Sequence, residues 1–365
     1  MIRVLHIGFS KNPGGVENMV MNYFRNIDRN QIEFDFLDIY GEGIAFSDEI
    51  LALGGNIYSI PNYKKKPIAA GKALSRIIKK TCTDIVHVHM QSAANLMPIL
   101  IPLKQGKKVV AHSHSSSTPS GLTRKILNYT NKKFMKFLPV QRWACGNTAG
   151  LWMHGKKFDK SDIILNAVDL EKFRYNAIVR HEYRSKCGFS DNDNVLGFVG
   201  RFGEEKNPLF LLEILKNLRA ISSSYKLLMI GNGDLFHEFE KRVESYQLSD
   251  SVCLVGTQKD TSPWYQAMDA FLLPSLFEGF PVVSLEAQAA RLPCFFSNNI
   301  TREIDLGSNN SFLSIADGTA DEWANAISTQ LNKRIDRGVE IKELSKYDIK
   351  YAASELLAKY QKLIW

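Results

Sequence analysis

Short apolar runs alternate along most of the chain with segments whose apolar residues recur at the helical period. Residues 4–9 form a run of the first kind. After a glycine-rich turn, Val16, Met19, Val20, Tyr23, Phe24 and Ile27 keep the 3.6-residue repeat of a half-buried helix. The same reading predicts strands at 33–39, 85–89, 109–114 and 143–145, with a helix over 69–80 between them. Strands regularly separated by helices predict an α/β fold, a parallel sheet covered on both faces.

The alternation pauses at 166–194, a polar stretch ending in Asp191-Asn-Asp-Asn194, and then restarts. Strands are expected at 195–199, 226–230, 252–255 and 270–273, and helices at 209–219, 235–246 and 263–268. The chain therefore reads as two doubly wound Rossmann-like domains, 1–167 and 168–348, joined through the polar stretch. The amphipathic segment 349–363 is expected to return to the first domain. A length of 365 residues supports two cores better than one.

Composition narrows the setting. The five cysteines are scattered and contain no Cys-x-x-Cys pair, so neither a disulfide framework nor a thiolate metal cluster is expected, and a cytoplasmic location fits. No N-terminal signal segment is recognised. The longest apolar stretch, 96–103, is interrupted by Pro98 and Pro102 and is far below the ~20 residues of a membrane span. Net charge is +8, and no Asp or Glu occurs between Asp84 and Asp159 while eleven Lys and Arg do. That basic stretch suits a solvated face or an anionic membrane or substrate. It carries no nucleic-acid motif, and no nucleic-acid partner is expected.

The densest candidate chemistry lies at Glu278-Gly279-Phe280-Pro281-Val282-Val283-Ser284-Leu285-Glu286, between a strand and a helix. Pro281 suits a first helical turn, whose free amides and dipole make an anion site. The two carboxylates fall on different elements, so they can hold different parts of one ligand. Gly200-Arg201-Phe-Gly-Glu-Glu-Lys206-Asn-Pro208 follows the first strand of the second domain and offers two cations to a diphosphate. The bland alternatives are two surface glutamates on an ordinary turn and two exposed cations in a loop.

The Glu-x7-Glu arrangement enclosing Gly-x-Pro resembles that of glycosyltransferase family 4, retaining enzymes of the GT-B fold, and the similarity covers nearly the whole chain. The resemblance implies two domains facing a central cleft, with Glu286 on the nucleotide ribose and Glu278 near the donor sugar. It places the backbone of 279–282 against the phosphates and sugar, and Arg201 and Lys206 on the diphosphate. Gly14 and Gly15 resemble the family's first-domain glycine loop. His87, His89, His112 and His114 end two strands on one face; a four-histidine metal site is one reading, but the resemblance assigns His114 to the donor sugar instead. No metal or other cofactor is then required. Arg291 stands where the family usually has Gly.

The expected activity is metal-independent, retaining transfer from a nucleoside-diphosphate sugar, UDP-sugar favoured, to a hydroxyl of a glycan or lipid-linked acceptor in bacterial capsule or exopolysaccharide assembly. A nucleotide-sugar epimerase or hydrolase, or a non-catalytic sensor, are the alternatives. Lys72, Arg76, Lys79 and Lys80 on helix 69–80 suggest peripheral contact with the inner face of the cell membrane.

Overall fold

The computed structural model describes residues 1–365 except 116, 117, 308, 334–336, 339 and 340. Its strands lie in two separate six-stranded sheets in which all the described pairings are parallel. The first contains β1 (Ile2–Ile7), β2 (Ile32–Asp38), β3 (Asn56–Ser59), β4 (Ile85–Met90), β5 (Lys108–Ser113) and β6 (Gln141–Ala144). The second contains β7 (Asn194–Val199), β8 (Tyr225–Ile230), β9 (Val252–Gly256), β10 (Ala270–Leu273), β11 (Cys294–Ser297) and β12 (Asn310–Leu313).

The spatial order is β3-β2-β1-β4-β5-β6 in one sheet and β12-β11-β10-β7-β8-β9 in the other. These are the same doubly wound order, and strand direction of winding reverses beside β1/β4 and β7/β10. Loops that leave the carboxyl ends of those strands diverge to opposite faces and open a crevice for ligands. The central strands are buried on both faces, as helices on each side require: every residue of β4 and of β10 is buried.

The chain divides into Met1–Ala167 with Ile349–Trp365, and Val168–Asp348. In the first unit, Leu356, Leu357 and Tyr360 of helix Ile349–Ile364 share a core with Phe24, Phe34 and Trp143. Strands β3, β11 and β12 were not read from the hydrophobic pattern.

Two expectations need correction. Residues 166–194 are not simply a polar crossing. They contain helix Ala177–Lys186, whose Arg184 is fully buried, pairs with Asp269 and donates to the carbonyls of Ser190, Asp193 and Ala267. Polarity disguised a helix that uses arginines as anchors. The cysteines, too, are not all separate: Cys187 and Cys253, 66 residues apart, form a disulfide with Cα atoms 5.7 Å apart. Sequence spacing carries no record of that proximity.

The basic stretch resolves into two unlike helices. In Pro67–Lys80 the apolar residues Ala70, Leu74 and Ile78 pack into the core, while Ile68, between Lys66 and Lys72 in sequence, is 77% exposed. In Leu122–Met135 only Asn128 and Met135 are buried. Asn128 and Asn131 tether it through their amides to Ala93. Leu122 is 75% exposed and Phe137, just past its end, 83%; Ile126, Tyr129 and Phe134 are exposed among Arg124, Lys125, Lys132, Lys133 and Lys136. No helix among the described residues is long and apolar enough to cross a membrane.

Candidate functional site

In the second unit the loops leaving β7 and β10 flank the reversal point of the sheet. The first, 200–207, packs so closely on the loop after β8 that a Cβ on Gly231 would collide with the Gly200 carbonyl, and one on Gly233 would lie 2.6 Å from that of Phe202. Gly231, at φ +135°, also takes a backbone conformation that favours glycine. Asp234 on this second loop accepts from Arg201 Nη2 at 2.7 Å, and Arg201 remains 62% exposed.

The loop after β10 is clamped to the first. The amide of Leu276 donates to the Glu205 carbonyl at 2.9 Å, and Lys206 Nζ forms an ion pair with Glu278. Glu278 Oε1 also accepts from Ser275 Oγ at 2.9 Å. Both partners of the ion pair are largely shielded from solvent, so it is held more firmly than a surface pair. Lys206 thus sits at the crevice with its charge compensated by the protein's own carboxylate. A ligand phosphate can take over that role.

Helix Val282–Ala289 starts one residue later than the sequence suggests. Pro281 is its N-cap, with ψ 116°, and not part of its first turn. No side chain caps this end, which leaves its amide dipole to an anion. At the other end Arg291 N donates to Gln288 O and Leu292 N to Ala287 O, the double closure of a Schellman motif. Arg291 takes φ +60° to make it, so the side chain departs from glycine while the backbone keeps glycine's conformation. Gly279 has open space around it, and the ring of Phe280 stacks on Tyr347 at 5.6 Å.

Glu286 faces another set of partners. The Tyr265 hydroxyl donates to its Oε2 at 2.8 Å, and Lys172, itself 3.1 Å from Asp260, adds positive potential. Burial outweighs these and raises the Glu286 pKa above the usual 4.5; burial also raises that of Tyr265, which keeps the phenol proton available as donor. The structure therefore brings Arg201, Lys206, Glu278, Gly279, Phe280, Pro281, Val282 and Glu286 to the ends of β7 and β10, with the two carboxylates in distinct pockets of charge.

The remaining predicted residues are in the first unit. Gly14 is the N-cap of helix Gly15–Asn26, and Gly15 has open space above it. Glu17 of that helix is buried and accepts from Ser10 N at 2.8 Å and Ser10 Oγ at 2.9 Å, which fixes the preceding loop. The glycine that packing demands is Gly8, at φ +128°, where a Cβ would lie 2.5 Å from the His89 carbonyl. His114 follows β5, half-buried, and its Nε2 lies 2.9 Å from His89 Nδ1.

Sequence reasoning missed Gly8, His6, Tyr265, Ser275 and Asp234. Gly231-Asn-Gly-Asp234 directly after a strand is a signal that was there to be read. Tyr265 and His6 look like core residues in sequence, and only tertiary packing turns them toward chemistry.

Residues 13–172 match glycosyltransferase family 4, and residues 179–352 match glycosyl transferases group 1. The Bacillus subtilis protein described as "Putative glycosyltransferase EpsF" is 31% identical over 312 residues, 84% of this chain and 81% of that protein. An Escherichia coli enzyme described as UDP-Gal:alpha-D-GlcNAc-diphosphoundecaprenol alpha-1,3-galactosyltransferase is 28% identical over 374 residues, 93% of this chain and 94% of that one. Among solved structures, a glycosyltransferase from Rickettsia africae superposes with a TM-score of 0.79 at 17% identity, covering 100% of this chain and 98% of that one. Anabaena HepE in complex with UDP and glucose gives 0.71 at 15%, covering 100% and 97%. At such identities the structural likeness speaks for the fold, which is GT-B.

Proposed function

The chain belongs to the glycosyltransferases of family 4, and we propose that it moves a sugar from a nucleoside-diphosphate sugar, with UDP favoured, to a hydroxyl of a glycan or lipid-linked acceptor in bacterial surface-polysaccharide assembly. The observation that carries this reading is Lys206, held by Glu278 at the reversal point of the second sheet beside the uncapped helix Val282–Ala289. The E. coli relative, described as using UDP-Gal and a diphosphoundecaprenol-linked acceptor, favours UDP and a lipid-linked acceptor here.

In the proposed mechanism the second unit binds the donor and the first the acceptor. Arg201, Lys206 and the amides of Val282 and Val283 take up charge on the diphosphate as the glycosidic bond breaks, worth most where water is excluded. Lys206 exchanges Glu278 for phosphate oxygens, which frees the Glu278 carboxylate for the donor sugar. Glu286, oriented by Tyr265, accepts from the ribose hydroxyls. Gly14 and Gly15 leave room for backbone approach, and His114 supplies a polar contact to the sugar. Retention is taken from the family reading, and with no protein nucleophile assigned it calls for departure and attack on one face of the sugar. Because cations of the chain carry the leaving-group charge, transfer continues in EDTA.

The test is incubation with labelled UDP-, GDP-, ADP- and dTDP-sugars, with and without polyprenyl-diphosphate sugar acceptors. Acceptor-dependent, EDTA-resistant transfer with a retained anomer is the expected result. Hydrolysis or epimerisation independent of acceptor would favour the other reading, and no turnover with any donor would remove the proposal.

We also propose that helix Leu122–Met135 meets an anionic membrane, since it offers several exposed apolar residues among cations where Pro67–Lys80 offers Ile68. Each basic residue near such a surface contributes roughly 1 kcal/mol and insertion of aromatic side chains adds to it. In sedimentation with phosphatidylglycerol vesicles, Ile126→Glu with Phe137→Glu is expected to weaken binding at least about tenfold while leaving transfer to a short soluble acceptor unchanged. Unaltered sedimentation would exclude this helix.

A further inference from the structure

Five histidines from three adjacent strands lie together under the first sheet: His6 on β1, His87 and His89 on β4, and His112 and His114 on and after β5. They form two hydrogen-bonded files. His6 Nδ1 lies 3.0 Å from His89 Nε2, and His89 Nδ1 lies 2.9 Å from His114 Nε2. In the other file, the Tyr360 hydroxyl bonds His87 Nδ1, and His87 Nε2 lies 3.0 Å from His112 Nδ1. His6, His87, His89 and His112 are buried, and desolvation lowers the pKa of all five, that of His6 to about 3, so every ring is neutral at physiological pH.

Proton counting then constrains the files. A neutral imidazole has one N–H. His89 uses both nitrogens on neighbours, so one contact is donated by it and the other is donated to it. It follows that His6, His89 and His114 share a tautomer: all carry the proton on Nδ1, or all on Nε2.

The second file is fixed by its tyrosine. Tyr360 is buried, its pKa is raised well above normal, and its described hydrogen-bond partner is His87 Nδ1, so the phenol donates there. His87 must then carry its proton on Nε2 and donate to His112 Nδ1, and His112 carries its proton on Nε2. The Nε2 atoms of His112 and His6 are both buried without a hydrogen-bond partner, and both rings line one cavity of about 10 Å³. At His6 the choice is between a bare Nε2 and an N–H without a partner; buried unpaired N–H groups are the rarer orphans, which favours the bare nitrogen and with it the Nδ1–H tautomer throughout the first file.

We infer that His6 and His89 are positioning residues that lock His114 as the Nδ1–H tautomer, so that its outward nitrogen donates a hydrogen bond to a ligand oxygen and does not take up a proton. The functional part rests on the proposed placement of His114 at the donor sugar; the tautomer does not. Changing it would require a proton to reach His6 Nε2, which is buried and has no hydrogen-bond partner among the described residues. Two sets of three histidines, His6/His87/His89 and His89/His112/His114, have ligand atoms within 4.8 Å of one another, but His87 and His89 already spend both nitrogens within the files.

The test is ¹⁵N NMR of the full chain labelled at histidine, without sugar nucleotide, with His114 assigned by His114→Gln. The expected spectrum has a protonated Nδ1 and a bare Nε2 at His114, unchanged from pH 5.5 to 8. His89→Phe keeps a ring in the stack and removes both contacts; His114 should then populate both tautomers. His6→Phe, one link further away, should shift the His114 tautomer without touching it. In transfer assays His89→Phe should lower kcat about tenfold, the scale of a lost positioning contact, with donor KM changed less. A native His114 protonated on Nε2, or His114 signals indifferent to both variants, overturns the inference, as does stoichiometric zinc uptake that shifts His6 and His89. If neither variant folds, the native spectrum decides alone. An unaltered kcat beside the expected spectra would leave the lock standing and remove His114 from the donor site.

Discussion

Lys206→Ala is expected to lower transfer about 100- to 1000-fold, a loss of roughly 3–4 kcal/mol of transition-state stabilisation, the scale of a single preorganised charge donor at a departing oxyanion. Two consequences of the geometry set this effect above the others. The leaving diphosphate loses its nearest shielded cation, and Glu278, shielded with it and held by Ser275, is left as an uncompensated negative charge beside the incoming phosphates. The second consequence is separable. In Lys206→Ala with Glu278→Gln the carboxylate is neutral, so the double variant should bind the nucleoside diphosphate more tightly than Lys206→Ala, although turnover stays low. Arg201→Ala should cost less, because that side chain is mostly exposed and paired with exposed Asp234. The measurement is steady-state transfer with a soluble acceptor, alongside calorimetric nucleotide binding. Rates for Lys206→Ala within threefold of the native enzyme would defeat the assignment.

Glu286→Ala should raise the donor KM by about 10- to 100-fold, the loss of one charge-assisted pair of hydrogen bonds at 1.5–3 kcal/mol. Its pH behaviour identifies the cause. Burial raises the folded-state pKa of Glu286, so the native chain binds a proton that the unfolded chain has already released over the interval above 4.5. Stability therefore falls as pH rises through that interval, and an ionised Glu286 at neutral pH is a cost to the fold. Donor binding runs the other way, because only the carboxylate can accept two hydroxyl protons, and affinity should weaken as pH drops through the same interval. Glu286→Gln should thus melt no lower than the native protein at pH 7 while losing donor affinity and its pH dependence. A lower melting temperature with unchanged KM would make Glu286 a structural residue.

Much of the fold was legible because buried parallel strands and one-sided helices leave strong periodicities. Residues 195–199, 226–230 and 270–273 read as strands and are strands, since each is a continuous apolar run closed by polar or turn residues. Strands Asn56–Ser59 and Asn310–Leu313 lie at sheet edges, where half-burial dilutes the pattern. Helix Ala177–Lys186 was hidden for a different reason. Its contacts with the rest of its unit are made by the guanidinium groups of Arg180 and Arg184 together with the Tyr183 ring against Trp264, so its inward face is largely polar in sequence.

What the sequence determined by itself was the alternation that makes two α/β units, and the local strand-turn-helix setting of Arg201, Lys206, Glu278 and Glu286. These follow from interactions between residues near in the chain. Which charges meet was decided by the tertiary structure alone. Lys206 neutralises Glu278 across 72 residues, Glu286 turns instead to Tyr265, and Cys187 finds Cys253. The same holds for the histidines. Alternation places His87 beside His89 on one face, but the strand order sets β1 and β5 on either side of β4, and that order joins His6 to His114 in one line of hydrogen bonds. Pairing across a parallel sheet depends on crossovers and on the burial of faces, and neither leaves a local mark in the residues that are paired.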